Sequence, residues 1–205
     1  MRVGADDVVR RAIDLVASVL GLVLSAPVMG VIAVCIKRDS RGPVVFSHER
    51  VGRHGRLFTL YKFRTMSSEP GSTGPAVTVS GDTRVTRVGA RLRASKLDEI
   101  PQLFNVVKGD MSLVGPRPEV SEYVELWPAH QREVILSVRP GITDPMTLVL
   151  RREEELLGQR SDPARYYRQV LLPRKAAAYA EYVKQRSIIK DLELVLRTLK
   201  SVVRD

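Results

Sequence analysis

"LVASVLGLVLSAPVMGVIAVCI", Leu15 to Ile36, holds 22 residues without a charge. At about 1.5 Å of rise per residue, that is long enough for a helix to cross a bilayer. The flanks argue against simple crossing. Arg10 and Arg11 precede the segment, and Lys37, Arg38 and Arg41 follow it. Basic residues favour the cytoplasmic side, so a cluster at each end keeps both ends there. Pro27 stands in the middle, where it removes a helix donor, with Ser25 near enough to satisfy a freed carbonyl. A re-entrant helix that enters one leaflet, breaks near Ser25–Pro27 and returns accounts for both features. The competing readings are a spanning helix, a buried core helix and a signal peptide. Asp6, Asp7 and Asp14 spoil the basic start of a signal peptide.

Outward from this segment the chain reads as one unit. Its 205 residues and 44% hydrophobic content suffice for a sizeable core, which excludes wholesale disorder. A net charge of +10 calls for an anionic partner: nucleic acid, an anionic lipid surface or a phosphate-bearing substrate. A single cysteine excludes an internal disulfide framework, and three scattered histidines give no zinc-ligand spacing. Residues 1–40 are read as the anchor and 41–205 as a domain not separable from it.

The expected class is α+β and helix-rich. Pro43 to Met66 reads as a small β-hairpin around a Gly52–Gly55 turn, and Ser67 to Thr83 as a surface loop. Helical patterns follow over Arg87–Ala94, Asp98–Val107, Val120–Leu126 and Pro128–Ser137, and Arg139–Thr143 reads as a turn. Pro163 and Pro173 read as first-turn prolines starting helices. In the last helix Ile188, Ile189, Leu192, Val195, Leu196, Leu199, Val202 and Val203 form one apolar face, either core or interfacial.

Asp98 and Glu99 stand side by side just before Pro101 in this basic chain. At a helix N-terminus the bland reading is that Asp98 caps the helix, or shares a capping box with Ser95, while Glu99 complements the dipole. The reactive reading gives them separate targets. Adjacent helical residues diverge by about 100°, so one could attack phosphorus while the other holds a hard divalent cation. Arg91 and Arg93 precede the pair, and Arg117 follows in a rigid proline frame. Arginine forks suit phosphate, and phosphoryl transfer is mostly positioning and charge neutralisation.

"LRASKLDEIPQLFNVVKGDMSLVGPRPE", "GPVVFSHERVGRHGRLFTLYKFRTM" and "RPGIT" together closely resemble the monotopic phosphoglycosyl transferases, the bacterial sugar transferase family. The resemblance implies a re-entrant anchor at the cytoplasmic face of the bacterial inner membrane. It implies transfer of a sugar 1-phosphate from a UDP-sugar donor to a polyprenol phosphate acceptor, releasing UMP by a ping-pong route. By the same resemblance Asp98 is the nucleophile that forms a phosphosugar-aspartyl intermediate. Glu99 is its partner and helps to bind Mg²⁺, with Asp98 a second candidate ligand. Arg93 and Arg117 match phosphate-binding positions, and Lys62 and Arg64 belong to a basic motif of the same block. Anionic phospholipid and a homodimer are further expected partners, and nucleic acid is not.

The chain departs from the family pattern in two places. Ala26 separates Ser25 from Pro27, and Asp144-Pro145 follows "PGIT" where many members have Gly-Trp, which leaves sugar and acceptor specificity open. It looks like a minimal, catalytic-domain form. The alternatives are a non-catalytic membrane scaffold of the same fold, a basic nucleic-acid-binding protein, and a glycosyltransferase that releases UDP.

Overall fold

Ala5–Asp39 form a single 35-residue helix, α1, in the computed structural model, which describes residues 5–67, 78–79 and 81–203. Val16, Val19, Leu20, Val23, Leu24, Val28, Val31 and Val34 are exposed, at the three-four spacing of one helix face. The opposite side of α1 is docked at both ends. Near its start, Arg11 donates to the carbonyls of Val106 and Val107, at 2.7 and 3.1 Å. Asp14 accepts from Ser112 Oγ at 2.5 Å and from the Leu113 amide at 2.9 Å. Near its end, Ile32 and Ile36 bury themselves with Phe63 and Leu92, and Asp39 accepts from the Val88 amide at 2.9 Å.

The expected break at Ser25–Pro27 differs from the structure, because the chain stays helical through Pro27. A proline deletes one donor from the ladder, and the docked flanks hold the remaining turns together. Pro27 leaves the Val23 carbonyl without its usual donor, yet Ser25 Oγ donates to Leu22 O, at 3.4 Å.

The hairpin follows as read. β1 (Val45–Val51) pairs antiparallel with β2 (Leu57–Phe63), from Val45 opposite Phe63 to Val51 opposite Leu57. His54 and Gly55 turn the chain at φ of 59° and 75°. Most of the Ser67–Thr83 loop lies outside the described residues. α2 (Arg87–Ala94) begins where expected, with Thr86 Oγ1 accepting from the Gly89 amide.

α3 (Gln102–Lys108) ends on Gly109, whose φ of 93° suits a residue without Cβ. Arg139–Thr143 is more than a turn. Gly141–Thr143 forms a strand, β4, parallel to β3 (Ser112–Val114). The two backbones meet so closely at Gly115 and Gly141 that a Cβ on Gly141 would lie 2.1 Å from the Gly115 nitrogen. Between these strands run α4 (Ser121–Glu125) and α5 (Ala129–Leu136).

Beyond β4 lie α6 (Glu153–Gly158), α7 (Pro163–Tyr166), α8 (Leu172–Gln185) and α9 (Ile188–Val203). Pro163 starts α7 as read, and Pro173 stands in the first turn of α8, also as read. A π-helical turn at Tyr167–Leu171 joins α7 to α8, and the wider turn accommodates the missing proline N–H. Tyr167, Leu171, Leu172, Ala176 and Tyr179 pack with Tyr123, Trp127 and Ile135 into the main core. On α9, Ile189, Leu192, Leu196 and Leu199 are exposed, which favours the interfacial reading of its apolar face over the core one. The side chains of Val202 and Val203 lie outside the described residues.

Candidate active site

α2 stops at Ala94, and Lys96 reverses the chain at a φ of 57°. Leu97–Glu99 then make one 3-10 turn before Pro101 leads into α3. Neither capping arrangement forms. The helix starts at Gln102 rather than at Asp98, and Ser95 Oγ donates back to the Arg91 carbonyl at 2.8 Å. Asp98 is left 8% exposed, with Oδ1 buried and without a hydrogen-bond partner. A buried carboxylate oxygen with no donor is costly for a merely structural residue.

Glu99 is bound from two sides. Its Oε1 accepts from Lys62 Nζ on β2 at 2.9 Å and from Arg117 Nη2 at 2.5 Å. The two carboxyls therefore diverge. Burial works to raise that of Glu99, but the Arg117 guanidinium and the Lys62 ammonium outweigh it and hold the group well below the usual carboxylate range. Burial raises the Asp98 carboxyl, Lys62 only partly opposes this, and the neighbouring Glu99 charge adds to the rise. Burial also lowers the Lys62 ammonium against the pull of Glu99.

Asn105 sets this geometry from below. Its Oδ1 accepts from the Tyr61 amide at 3.1 Å and its Nδ2 donates to the Thr59 carbonyl at 2.7 Å. One side chain thus ties α3, which follows the acidic turn, to the strand that carries Lys62.

A cavity of about 1090 Å³ opens beside the pair, lined by Arg50, Arg93, Glu99, Arg117, Lys175 and Tyr179 among others. Arg93 belongs to this wall and is paired with Glu154, while its Nη1 reaches Thr65 Oγ1 at 3.4 Å. Opposite stands a buried polar chain. Tyr167 donates to Glu119 at 2.7 Å, and Lys175 meets Glu153 at 2.8 Å and lies over the Tyr167 ring. Burial, reinforced by the Glu119 carboxylate, pushes the Tyr167 hydroxyl far above its ordinary value. Asp144, at the departure from "PGIT" followed by Gly-Trp, is spent on its own turn, accepting from the Met146 amide and Thr147 Oγ1 at 2.7 Å each.

The structure therefore brings together Lys62, Asp98, Glu99 and Arg117, with Arg93 on the same cavity. Arg64 is not among them. Its guanidinium donates to the carbonyls of Arg41, at 2.5 Å, and Ser40, at 2.8 Å, so it ties the end of α1 to β2 instead of facing a phosphate. Arg50 lines the same cavity, although one charge near the end of a strand reads as solvated.

Among the described residues no group of three or more His, Cys, Asp or Glu side chains could enclose a metal. A magnesium ion in a phosphoryl-transfer site needs only one or two carboxylates, with phosphate and water completing its shell. The free Asp98 Oδ1 beside Glu99 fits that smaller requirement.

Comparison with known proteins identifies the family. The profile of the bacterial sugar transferase family matches residues 5–205. A UDP-glucose:undecaprenyl-phosphate glucose-1-phosphate transferase of Caulobacter vibrioides is 37% identical over 97% of this chain and 71% of its own length. The exopolysaccharide production protein PSS of Rhizobium leguminosarum is 37% identical over 96% of both chains. A UDP-N-acetylgalactosamine-undecaprenyl-phosphate N-acetylgalactosaminephosphotransferase of Aeromonas hydrophila is 45% identical over 66% of this chain, a match that covers 32% of that longer protein. A family match running from α1 to the C-terminus leaves no element outside it, and the chain belongs to the bacterial sugar transferase family.

Proposed function

We propose that this protein transfers a sugar 1-phosphate from a UDP-sugar to a polyprenol phosphate through a covalent intermediate on Asp98. The observation that carries the proposal is the division of labour in the acidic turn. Glu99 is locked by two cations on the wall of a cavity that arginines also line, while the adjacent Asp98 keeps a buried oxygen with no partner.

In the first half-reaction an Asp98 carboxylate oxygen attacks the sugar-bearing phosphorus of the donor. A P–O bond to that phosphorus forms, the bond to the bridging diphosphate oxygen breaks, and UMP leaves. In the second half, a phosphate oxygen of the polyprenol attacks the acyl phosphate, and Asp98 is regenerated as the carboxylate. Arg117, held by Glu99, and Arg93 supply positive charge to the phosphates. Donor binding at Arg93 replaces its contact with Glu154. Asp98 and Glu99 would hold Mg²⁺, which supplies further neutralisation of phosphate charge when bound.

The acceptor reaches this site from the membrane plane. Supporting that reading, α1 is long and apolar enough to cross a bilayer, yet both its ends dock on the same folded body. A crossing helix would carry one end away from that body, so a re-entrant or in-plane anchor at the cytoplasmic face fits better. Reporter tags at the two termini are expected to label from the same side of the membrane. Labelling from opposite sides would contradict re-entry.

The direct test is the released nucleotide. Detergent-extracted protein with undecaprenyl phosphate, Mg²⁺ and a panel of UDP-sugars is expected to release UMP with one donor. Release of UDP would instead establish plain glycosyl transfer.

A further inference from the structure

The Val51 amide donates to the Glu119 carbonyl at 2.9 Å, which stitches the end of β1 to the Pro116–Pro118 corner. That bond sets Arg50 and Arg117 on the wall of one cavity. Arg50 is poorly neutralised there. Its side chain is 24% exposed, and the Glu119 carboxylate stands 3.9 Å from Nη1, beyond hydrogen-bonding distance. Arg50 Nε is buried and has no partner. Glu119 is also shared, since its other oxygen accepts the Tyr167 hydroxyl. A structural arginine–carboxylate pair closes into a two-pronged fork near 2.8 Å, and this one has not closed. Burial lowers the proton affinity of the guanidinium, Glu119 offsets this in part, and the like charge of Arg117 adds to the lowering.

We propose that Arg50 and Arg117 together seat a phosphate group of a substrate, with Arg50 supplying the donors that Glu119 leaves unused. The proposal rests on the transfer reaction above and adds a binding residue to it. A phosphate offers several acceptor oxygens, enough to engage the accessible part of the Arg50 guanidinium while Arg117 keeps its bond to Glu99. Two phosphates pass through this reaction besides the one transferred: that retained in UMP, and that of the lipid acceptor.

The test is binding to the purified full chain, measured by titration calorimetry with UMP and, separately, with a water-soluble short-chain prenyl phosphate. Arg50→Gln is expected to weaken one of the two about 10- to 100-fold, and Arg50→Lys, which keeps the charge but loses the fork, about several-fold. Glu119→Gln is expected to act the other way, tightening the same ligand about threefold, because it removes a competing anion while still accepting from Tyr167. Weakening confined to UMP assigns the seat to the donor, and weakening confined to the prenyl phosphate assigns it to the acceptor. If Arg50→Gln does not fold, the opposite signs of Arg50→Lys and Glu119→Gln still decide.

Unchanged binding in the Arg50 variants overturns the inference. So does weakening by Glu119→Gln as well, which is the pattern of a structural ion pair. A wild-type protein that binds neither ligand overturns it too. UMP release measured on the same wild-type preparation shows independently whether the transfer reaction stands.

Discussion

Asp98→Asn is expected to lower turnover at least ~10³-fold while raising the melting temperature of the metal-free protein. The two effects share one cause. An amide cannot form the acyl phosphate, so the covalent route closes, and no phosphosugar adduct should be trapped by mass spectrometry. The same change removes a buried charge that has no partner at Oδ1. Because burial raises the folded-state Asp98 carboxyl above its unfolded value, ionising it costs stability. That cost is absent in acid, begins as pH rises past the unfolded value near ~3.9, and is complete above the folded value. The stabilisation by asparagine should therefore grow with pH, by about 2–4 °C for each kcal/mol relieved in a chain of this size. Thermal melts in chelator from pH 3 to 8 check it. A variant that is less stable than wild type at pH 7, or one that turns over normally, would refute the assignment.

Glu99→Gln is expected to behave oppositely, losing both activity and stability. Glu99 is the shared anion of Lys62 and Arg117, so a neutral side chain leaves two partly buried cations facing each other. Uncompensated charge of this kind costs about 3 kcal/mol or more. Arg117 loses the bond that aims it, and activity should fall about 10²- to 10³-fold, with a weaker response to Mg²⁺. The pH dependence again has a definite sign. Arg117 and Lys62 depress the folded-state Glu99 carboxyl despite its burial, so its contribution is complete above the unfolded value near ~4.3. It declines as pH falls below that value and is gone once pH has fallen through the lower folded value. The stability deficit of the variant should stay constant between pH 5 and 8 and shrink only at lower pH. A deficit already gone at pH 5, or an unchanged Mg²⁺ response, would assign the clamp or the metal elsewhere.

Sequence made these elements legible to different depths. α2 was readable to the residue because Thr86 caps it and its apolar spacing is regular. The hairpin was readable because Gly52–Gly55 separates two β-branched, aromatic runs. β3 and β4 were not, since three residues per strand are too few for alternation to show and a parallel partner lies far along the chain. The role of Asp98 was ambiguous for a local reason. Acid at a helix start is normally a cap, and only the positive φ of Lys96, invisible in composition, moves it into a separate turn. Lys62 and Arg64 stand two residues apart in one motif, yet they diverge because Ser40 and Arg41 offer carbonyls to the second. Arg50 needed the fold outright, as its neighbours at the cavity come from 28 residues or more away along the chain.

α1 carries Asp14, which holds the backbone of β3, and Arg11, which takes the last carbonyls of α3. β3 runs directly into the corner that bears Arg117, and α3 follows directly from the turn that bears Asp98. α1 is thus bonded directly to the elements that flank the Asp98 turn and the Arg117 corner. On the proposed orientation, the height of Asp98 above the lipid plane is a calibrated dimension of the fold. A foreign anchor could restore attachment to the bilayer, but it would bring neither Asp14 nor Arg11, and the calibration would go with them.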